Sequence, residues 1–152
     1  MADLCFSRAG LVITLRRSKT DQEGEGALIG IEHGSNKATC PVRSLRAWLD
    51  AASIEAGPVF HLMNRHGHVL DQRLSDKAVA RVVKRTAESA GLDPELYSGH
   101  SLRVGLVTSA AQAGVGEREI MKQSRHKSER IMRKYIRSAN VFHDNVSGKD
   151  GL

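Results

Sequence analysis

From Ser75 to Ser138 the apolar residues fall three and four apart, and this period decides which folds are open to the chain. Val79, Val82, Val83 and Ala87 form one stripe, and Leu102, Leu106, Val107 and Ala110 a second. Ile120 and Met121 make a short third, and Ile131, Met132, Tyr135 and Ile136 a fourth. Side chains at that spacing share one face of a helix. Punctuation agrees: Ser75 suits an N-cap and Gly91 a helix stop. Helices are therefore expected from Ser75 to about Ala90, Ser101 to about Ala113, Glu117 to Gln123, and Ser128 to about Ser138.

The front of the chain follows another rule. Gly10 to Arg17 and Ala27 to Glu32 are rich in branched apolar residues and read as strands. The polar, glycine-bearing stretch SKTDQEGEG between them reads as a hairpin loop that can move. Pro41 fits a first helical position, so a helix is expected from Pro41 to about Ile54, with Leu45, Trp48 and Leu49 as its stripe. Val59 to Leu62 and the NRHGH turn suggest a short strand and hairpin. The expected class is α+β, mostly α, with a small antiparallel sheet near the N-terminus. Residues 139–152 are polar and carry two glycines, which suggests a loose tail or one exchanged between subunits.

A chain of 152 residues suits one domain of ordinary size. With 40% hydrophobic and 26% charged residues it reads as soluble and globular. No apolar run approaches the length of a membrane span and no signal peptide precedes the first strand, so a cytoplasmic protein without a membrane partner is expected. Cys5 and Cys40 are isolated and read as reduced thiols. The net charge is +6, and its placement matters more than its size. Between Glu117 and Arg137 stand eight basic residues against three acidic ones, a surplus of five. A polyanion is the natural partner of such a stretch. Aromatic residues are only 4%, too few for a surface that stacks single-stranded bases, so double-stranded DNA held by its phosphates fits better.

That basic stretch surrounds residues able to do phosphoryl chemistry. His100 and Arg103 occur in GHSLR, His126 in SRHKS and Tyr135 in RKYIR. His100 and Arg103 lie three apart, one helical turn, and so leave the same face. Attack on a DNA phosphate needs a nucleophile, charge stabilisation on the phosphoryl oxygens and a proton for the leaving oxygen. Tyr135 supplies a phenol, whose pKa of about 10 calls for help in losing its proton. Arg103 can hold two oxygens at once with its planar fork. It sits in the first turn of a helix, where backbone N–H groups and the helix dipole also favour an anion. Each residue alone has a plainer explanation: Tyr135 as a core aromatic, Arg103 in a surface ion pair, His100 and His126 as turn residues. The flanking Arg125, Lys127, Arg133 and Lys134 are candidate DNA contacts. His61, His66 and His68 cluster around a hairpin without the carboxylates or cysteines of a metal set, so no metal is assigned to them. No phosphate-binding glycine loop or nucleotide fingerprint occurs, and no cofactor is expected.

In order and spacing these strings resemble the catalytic domain of the tyrosine recombinases, the phage integrase family, from about Leu11 to Asn145. The resemblance adds Lys19, in the hairpin string RRSKTDQEG, which nothing in the spacing singles out. It implies that Tyr135 forms a 3′-phosphotyrosine and releases a 5′-hydroxyl. Arg103, His100 and His126 would bind the phosphate, and Lys19 would protonate the leaving oxygen. Neither ATP nor a metal would be needed, and members assemble as tetramers on DNA. The implied catalytic domain covers residues 1–138. The family carries a further arginine on a helix ahead of the hairpin and a domain that clamps the far side of the DNA. This chain starts beyond both, so the expectation is a truncated fragment, inactive in recombination alone. Arg125 replaces a usual glycine and Val104 a usual alanine. Two rivals share the residues: a type IB topoisomerase-like DNA relaxer, and a catalytically inactive DNA-binding or interaction module.

Overall fold

Alternation along Ala27–Glu32 is regular: Ala27, Ile29 and Ile31 are half-buried, while Leu28, Gly30 and Glu32 are exposed. That is the period of a strand with one wet face. In the computed structural model this strand, β3, is the last of a three-stranded antiparallel sheet ordered β1-β2-β3, where β1 is Leu4–Phe6 and β2 is Gly10–Leu15. The register sets Leu11 opposite both Phe6 and Ile31, and Ile13 opposite both Leu4 and Ile29, so the apolar side chains line one face. The structure describes residues 2–18, 21, 23–126 and 128–139, apart from the side chains of Ile131 and residues 137–139. Lys19, Lys127 and the expected tail beyond Ala139 lie outside the described residues.

The chain divides into two compact units, Met1–Leu74 and Ser75–Leu152. In the first, the sheet meets helix α1 (Pro41–Ala51) through a core of Leu11, Cys40 and Val42, flanked by Leu4, Phe6, Ile13, Ile31 and Leu45. The β2–β3 loop is organised by Asp21, whose carboxylate accepts the backbone N–H groups of Gly24, Glu25 and Gly26 at 3.0, 3.1 and 2.9 Å. Pro41 opens α1 as expected, but the helix stops at Ala51 rather than near Ile54. Ser53 adopts a left-handed backbone (φ 52°). The N–H groups of Ser53 and Ile54 then turn back to the carbonyls of Asp50 and Leu49. This is the Schellman closure, made here without glycine. A hairpin of β4 (His61–Met63) and β5 (Val69–Arg73) follows. The ring nitrogens of His61 lie 2.9 and 3.0 Å from the carbonyl oxygens of Leu70 and Pro58, so the ring sits within the hairpin. Among the described residues no three His, Cys, Asp or Glu side chains converge as a metal set.

The second unit is helical: α2 (Asp76–Ser89), α3 (Ser101–Gln112), α4 (Glu117–Ser124) and α5 (Glu129–Ala139), with a single 3-10 turn at Pro94–Leu96. Ser75 caps α2 through its side chain, accepting the Ala78 N–H at 3.3 Å. Gly91 closes α2 at φ 74°, where only a residue without Cβ is unstrained. Val107, Ala111, Ile120 and Met132 form the core, with Ala110, Met121, Tyr135 and Ile136 packed against it. Val107 and Met132 have no exposed surface, and each such side chain stabilises the unit by about 2 kcal/mol. Leu102 and Leu106, expected inside, are 64% and 45% exposed, and Val82 is also outside. The helix α3 buries Val107 as expected and Ala111 beside it, with Ala110 packed against the core, so the buried face is rotated away from Leu102 and Leu106. The class is the expected mostly helical α+β fold. No helix among the described residues is long and apolar enough to cross a membrane.

Candidate active site

The start of α3 supplies the first two residues. His100 precedes the helix with backbone already near helical values (φ −73°, ψ −24°), and its side chain makes no capping hydrogen bond. Ser101, the first helical residue, accepts the N–H of Ser98 through its hydroxyl at 2.9 Å. His100 lies in the turn that leads into α3, with its imidazole exposed and not used as a cap. Arg103 is exposed one turn on, and among the described residues no carboxylate holds its guanidinium. The surface ion pair that would have been its plainer explanation is not formed.

His126 reaches the same place from α4. Arg125 ends that helix in a left-handed conformation (φ 56°, ψ 38°), which reverses the chain and folds the next residue back over the last turn. His126 is half-buried and its Nδ1 lies 2.8 Å from the hydroxyl oxygen of Ser124. Burial lowers the pKa of its ring, and the positive charges of Arg103 and His100 lower it further. Arg103 and His100 at the start of α3 are thus near enough to bear electrostatically on the His126 ring.

Tyr135 comes from α5. Three residues before it, Met132 is fully buried and anchors the helix, so Tyr135 sits at the edge of the same core. It is half-buried, not enclosed. Its ring centroid is 6.4 Å from that of His126, with the planes tilted by 59°. Four of the five residues expected to act chemically therefore belong to one unit, and three of them are linked through His126. The fifth, Lys19, lies outside the described residues, as does Lys127 among the candidate DNA contacts.

The other basic candidates differ in kind. Arg133 donates from Nε to Glu117 at 3.0 Å and its fork also pairs with Glu129 at 3.2 Å. These carboxylates raise its pKa further and tie α5 to α4. Lys134 is exposed, and Arg125 is half-buried at its turn. Lys77, Arg81 and Arg85, not among the expected contacts, stand four apart along α2 and are all exposed. None of the three is held by a carboxylate among the described residues. Their i, i+4, i+8 spacing was the available signal.

A phenol beside an imidazole, with a guanidinium and a second imidazole close enough to act on that imidazole electrostatically, is equipped to move a proton from an attacking oxygen and to hold a phosphoryl anion. The chain matches the phage integrase family over residues 7–141, and it belongs to that family of tyrosine recombinases, as part of its catalytic domain. It is 45% identical over 144 residues to an integrase/recombinase xerD homolog of Selenomonas ruminantium. That match takes in 95% of this chain and 42% of the relative, so the chain spans less than half of the relative's length.

Proposed function

We infer that this chain carries the strand-cleaving chemistry of a site-specific DNA recombinase, with residues 1–138 as its catalytic domain. Family membership supports recombination in general. The observation that carries the mechanism is the grouping of Tyr135, His126, Arg103 and His100 in the second unit. Tyr135 Oη attacks phosphorus, the bond from phosphorus to the 5′ oxygen breaks, and a 3′-phosphotyrosine forms. The phenolic proton passes to an imidazole. Arg103 grips two non-bridging oxygens, and His100 and His126 share the remaining charge. Lys19 supplies the proton that the departing 5′ oxygen takes up. A 5′-hydroxyl of another strand then attacks the phosphotyrosine, restoring the diester and freeing the phenol. The ester keeps the energy of the broken bond, so no nucleotide is consumed.

The partner is double-stranded DNA in the cytoplasm, gripped by its phosphates. Arg125, Lys127 and Lys134 add contacts around the site, and the row on α2 adds more. Arg133 joins them only by leaving Glu117 and Glu129. Recombination needs paired sites, so self-association as a tetramer on DNA, aided by residues 139–152, belongs to the same reading.

A nicked duplex that loses its 5′-hydroxyl fragment after cleavage tests the proposal. With the full-length protein, a covalent protein–DNA adduct is expected, and Tyr135→Phe abolishes it. Salt-sensitive binding with no adduct at all would leave only a binding module. Relaxation of supercoiled DNA without exchange between sites would assign the topoisomerase-like activity instead.

A further inference from the structure

Ser124 is a polar side chain buried to 5% exposure, in the last turn of α4 beside the proposed site. Its Oγ lies 2.6 Å from the carbonyl oxygen of Ile120 and 2.8 Å from Nδ1 of His126. Two oxygens at 2.6 Å attract only with a proton between them. The carbonyl has none, so the single hydroxyl hydrogen of Ser124 is committed to Ile120. Toward His126 the serine oxygen can then only accept, and Nδ1 must carry the hydrogen. The left-handed turn at Arg125 sets the ring in this position. Were Nδ1 bare, two lone pairs would face each other at a half-buried site, an arrangement that burial penalises.

We propose that Ser124 is a positioning residue that locks His126 as the Nδ1–H tautomer and thereby makes Nε2 the working atom of the ring. Nδ1 and Nε2 occupy opposite edges of the imidazole, so fixing the first toward α4 turns the second away from it. The charged and titratable groups that bear on the ring from the other elements are Arg103 and His100 on the α3 side and Tyr135 on α5. In the neutral ring Nε2 holds a lone pair, which can accept the phenolic proton of Tyr135. Once protonated there, the same atom is a charged donor for a phosphoryl oxygen. The carbonyl of Ile120, the hydroxyl of Ser124 and the ring form a chain of hydrogen bonds that orients His126 as outer-shell partners orient histidines in other sites. That Nε2 acts on a phosphate rests on the recombinase reading; the tautomer lock does not.

Nitrogen-15 NMR of the 152-residue chain, labelled at histidine, reads the tautomer directly. Wild type is expected to show His126 with Nδ1 protonated and Nε2 bare at a pH where the ring is neutral. Ser124→Ala should move it toward the Nε2–H form that an unconstrained histidine side chain prefers, and Ser124→Thr, which keeps the hydroxyl, should restore Nδ1–H. A wild-type Nε2–H signal, or an alanine variant with an unchanged tautomer, overturns the proposal. In the full-length protein, Ser124→Ala should slow single-turnover cleavage about 10–100-fold at unchanged DNA affinity, with threonine recovering the rate. A shifted tautomer with unchanged cleavage overturns the catalytic half. Nδ1–H in wild type with no adduct on any DNA supports the lock and sinks the recombinase mechanism instead.

Discussion

The rings of His126 and Tyr135 stand 6.4 Å apart between centroids, tilted by 59°, at the edge of a core that buries Met132 completely. The pair joins two segments nine residues apart, across the turn from α4 into α5. Met132 is anchored in the interior while Tyr135, one turn on, keeps an accessible edge. Replacing the phenol by phenyl should therefore leave the packing intact. Tyr135→Phe is expected to change unfolding free energy by less than about 1 kcal/mol and DNA affinity little, while abolishing the covalent adduct. Urea unfolding and adduct formation on nicked DNA check the two halves, and an adduct surviving in the phenylalanine variant would move the nucleophile elsewhere.

Arg103 is exposed in the first turn of α3, with no carboxylate partner among the described residues, and so costs nothing to redirect to an anion. Arg103→Ala should lower the cleavage rate by about 10²–10³-fold, the usual loss for a preorganised donor to a developing charge. Binding should weaken by no more than one phosphate contact. Arg103→Lys should recover binding better than cleavage, because an ammonium cannot grip two oxygens in one plane. Equal losses of rate and affinity would reduce Arg103 to an anchoring residue.

Along α2, Lys77, Arg81 and Arg85 form an exposed basic row on the second unit. If the row meets DNA phosphates, each neutral replacement reduces the slope of log affinity against log salt by about 1. Anisotropy titrations of single and triple glutamine variants measure it. Cleavage per bound complex should not change, since the row carries no chemistry. A triple variant with the parental salt slope would exclude this face from the DNA.

Much of this architecture is readable from residue period, and the failures have local causes. The stripe on α5 and the caps at Ser75 and Gly91 are strong because several signals coincide at each. The strand β1 is three residues long, too short for alternation to show, and exists because Leu4 and Phe6 pair with Ile13 and Leu11. On α3, apolar residues surround the helix, so period alone cannot choose the buried face, and packing against α4 and α5 chose Val107 and Ala111 over Leu102 and Leu106. Arg133 is basic and adjacent to Lys134 and Tyr135, yet its nearest charges are Glu117 and Glu129, one of them sixteen residues away. Ser124 was invisible because its bond to His126 depends on the left-handed backbone of Arg125.

Cys40 gives the first unit a pH dependence. It precedes α1, has no exposed surface, and its Sγ accepts the N–H of Gly34 at 3.2 Å with the His33 ring at 3.9 Å. The Arg43 backbone N–H, against the opposing effect of burial, and then His33, Gly34 and Val42 bring the thiol pKa from 9.0 to about 6. A depressed folded-state pKa stabilises the fold fully above the unfolded value and loses that contribution as pH falls through the folded one. Wild type should therefore gain stability over Cys40→Ala as pH rises from about 6 to 9.0, and the gap should be flat on either side. Parallel stability curves for the two proteins would show that the thiolate contributes nothing.

His126 is expected to couple protons to both folding and DNA binding. Its folded-state pKa lies below 6.5, chiefly through burial and then through Arg103 and His100. Below pH 6.5 the unfolded chain thus binds more protons at this residue, and the folded state loses stability as pH falls toward the lowered value. DNA reverses the sign. A phosphate docked against Arg103 and His100 neutralises the charges that disfavour the imidazolium, so the pKa of His126 rises in the complex. Binding should then take up a proton, and affinity should increase as pH falls through the range between the two pKa values. The informative quantity is the difference between wild type and His126→Gln at constant ionic strength. Wild type should gain more affinity toward acid than the glutamine variant while losing more stability. Identical pH profiles in both binding and unfolding would mean that the ring does not sense the phosphate.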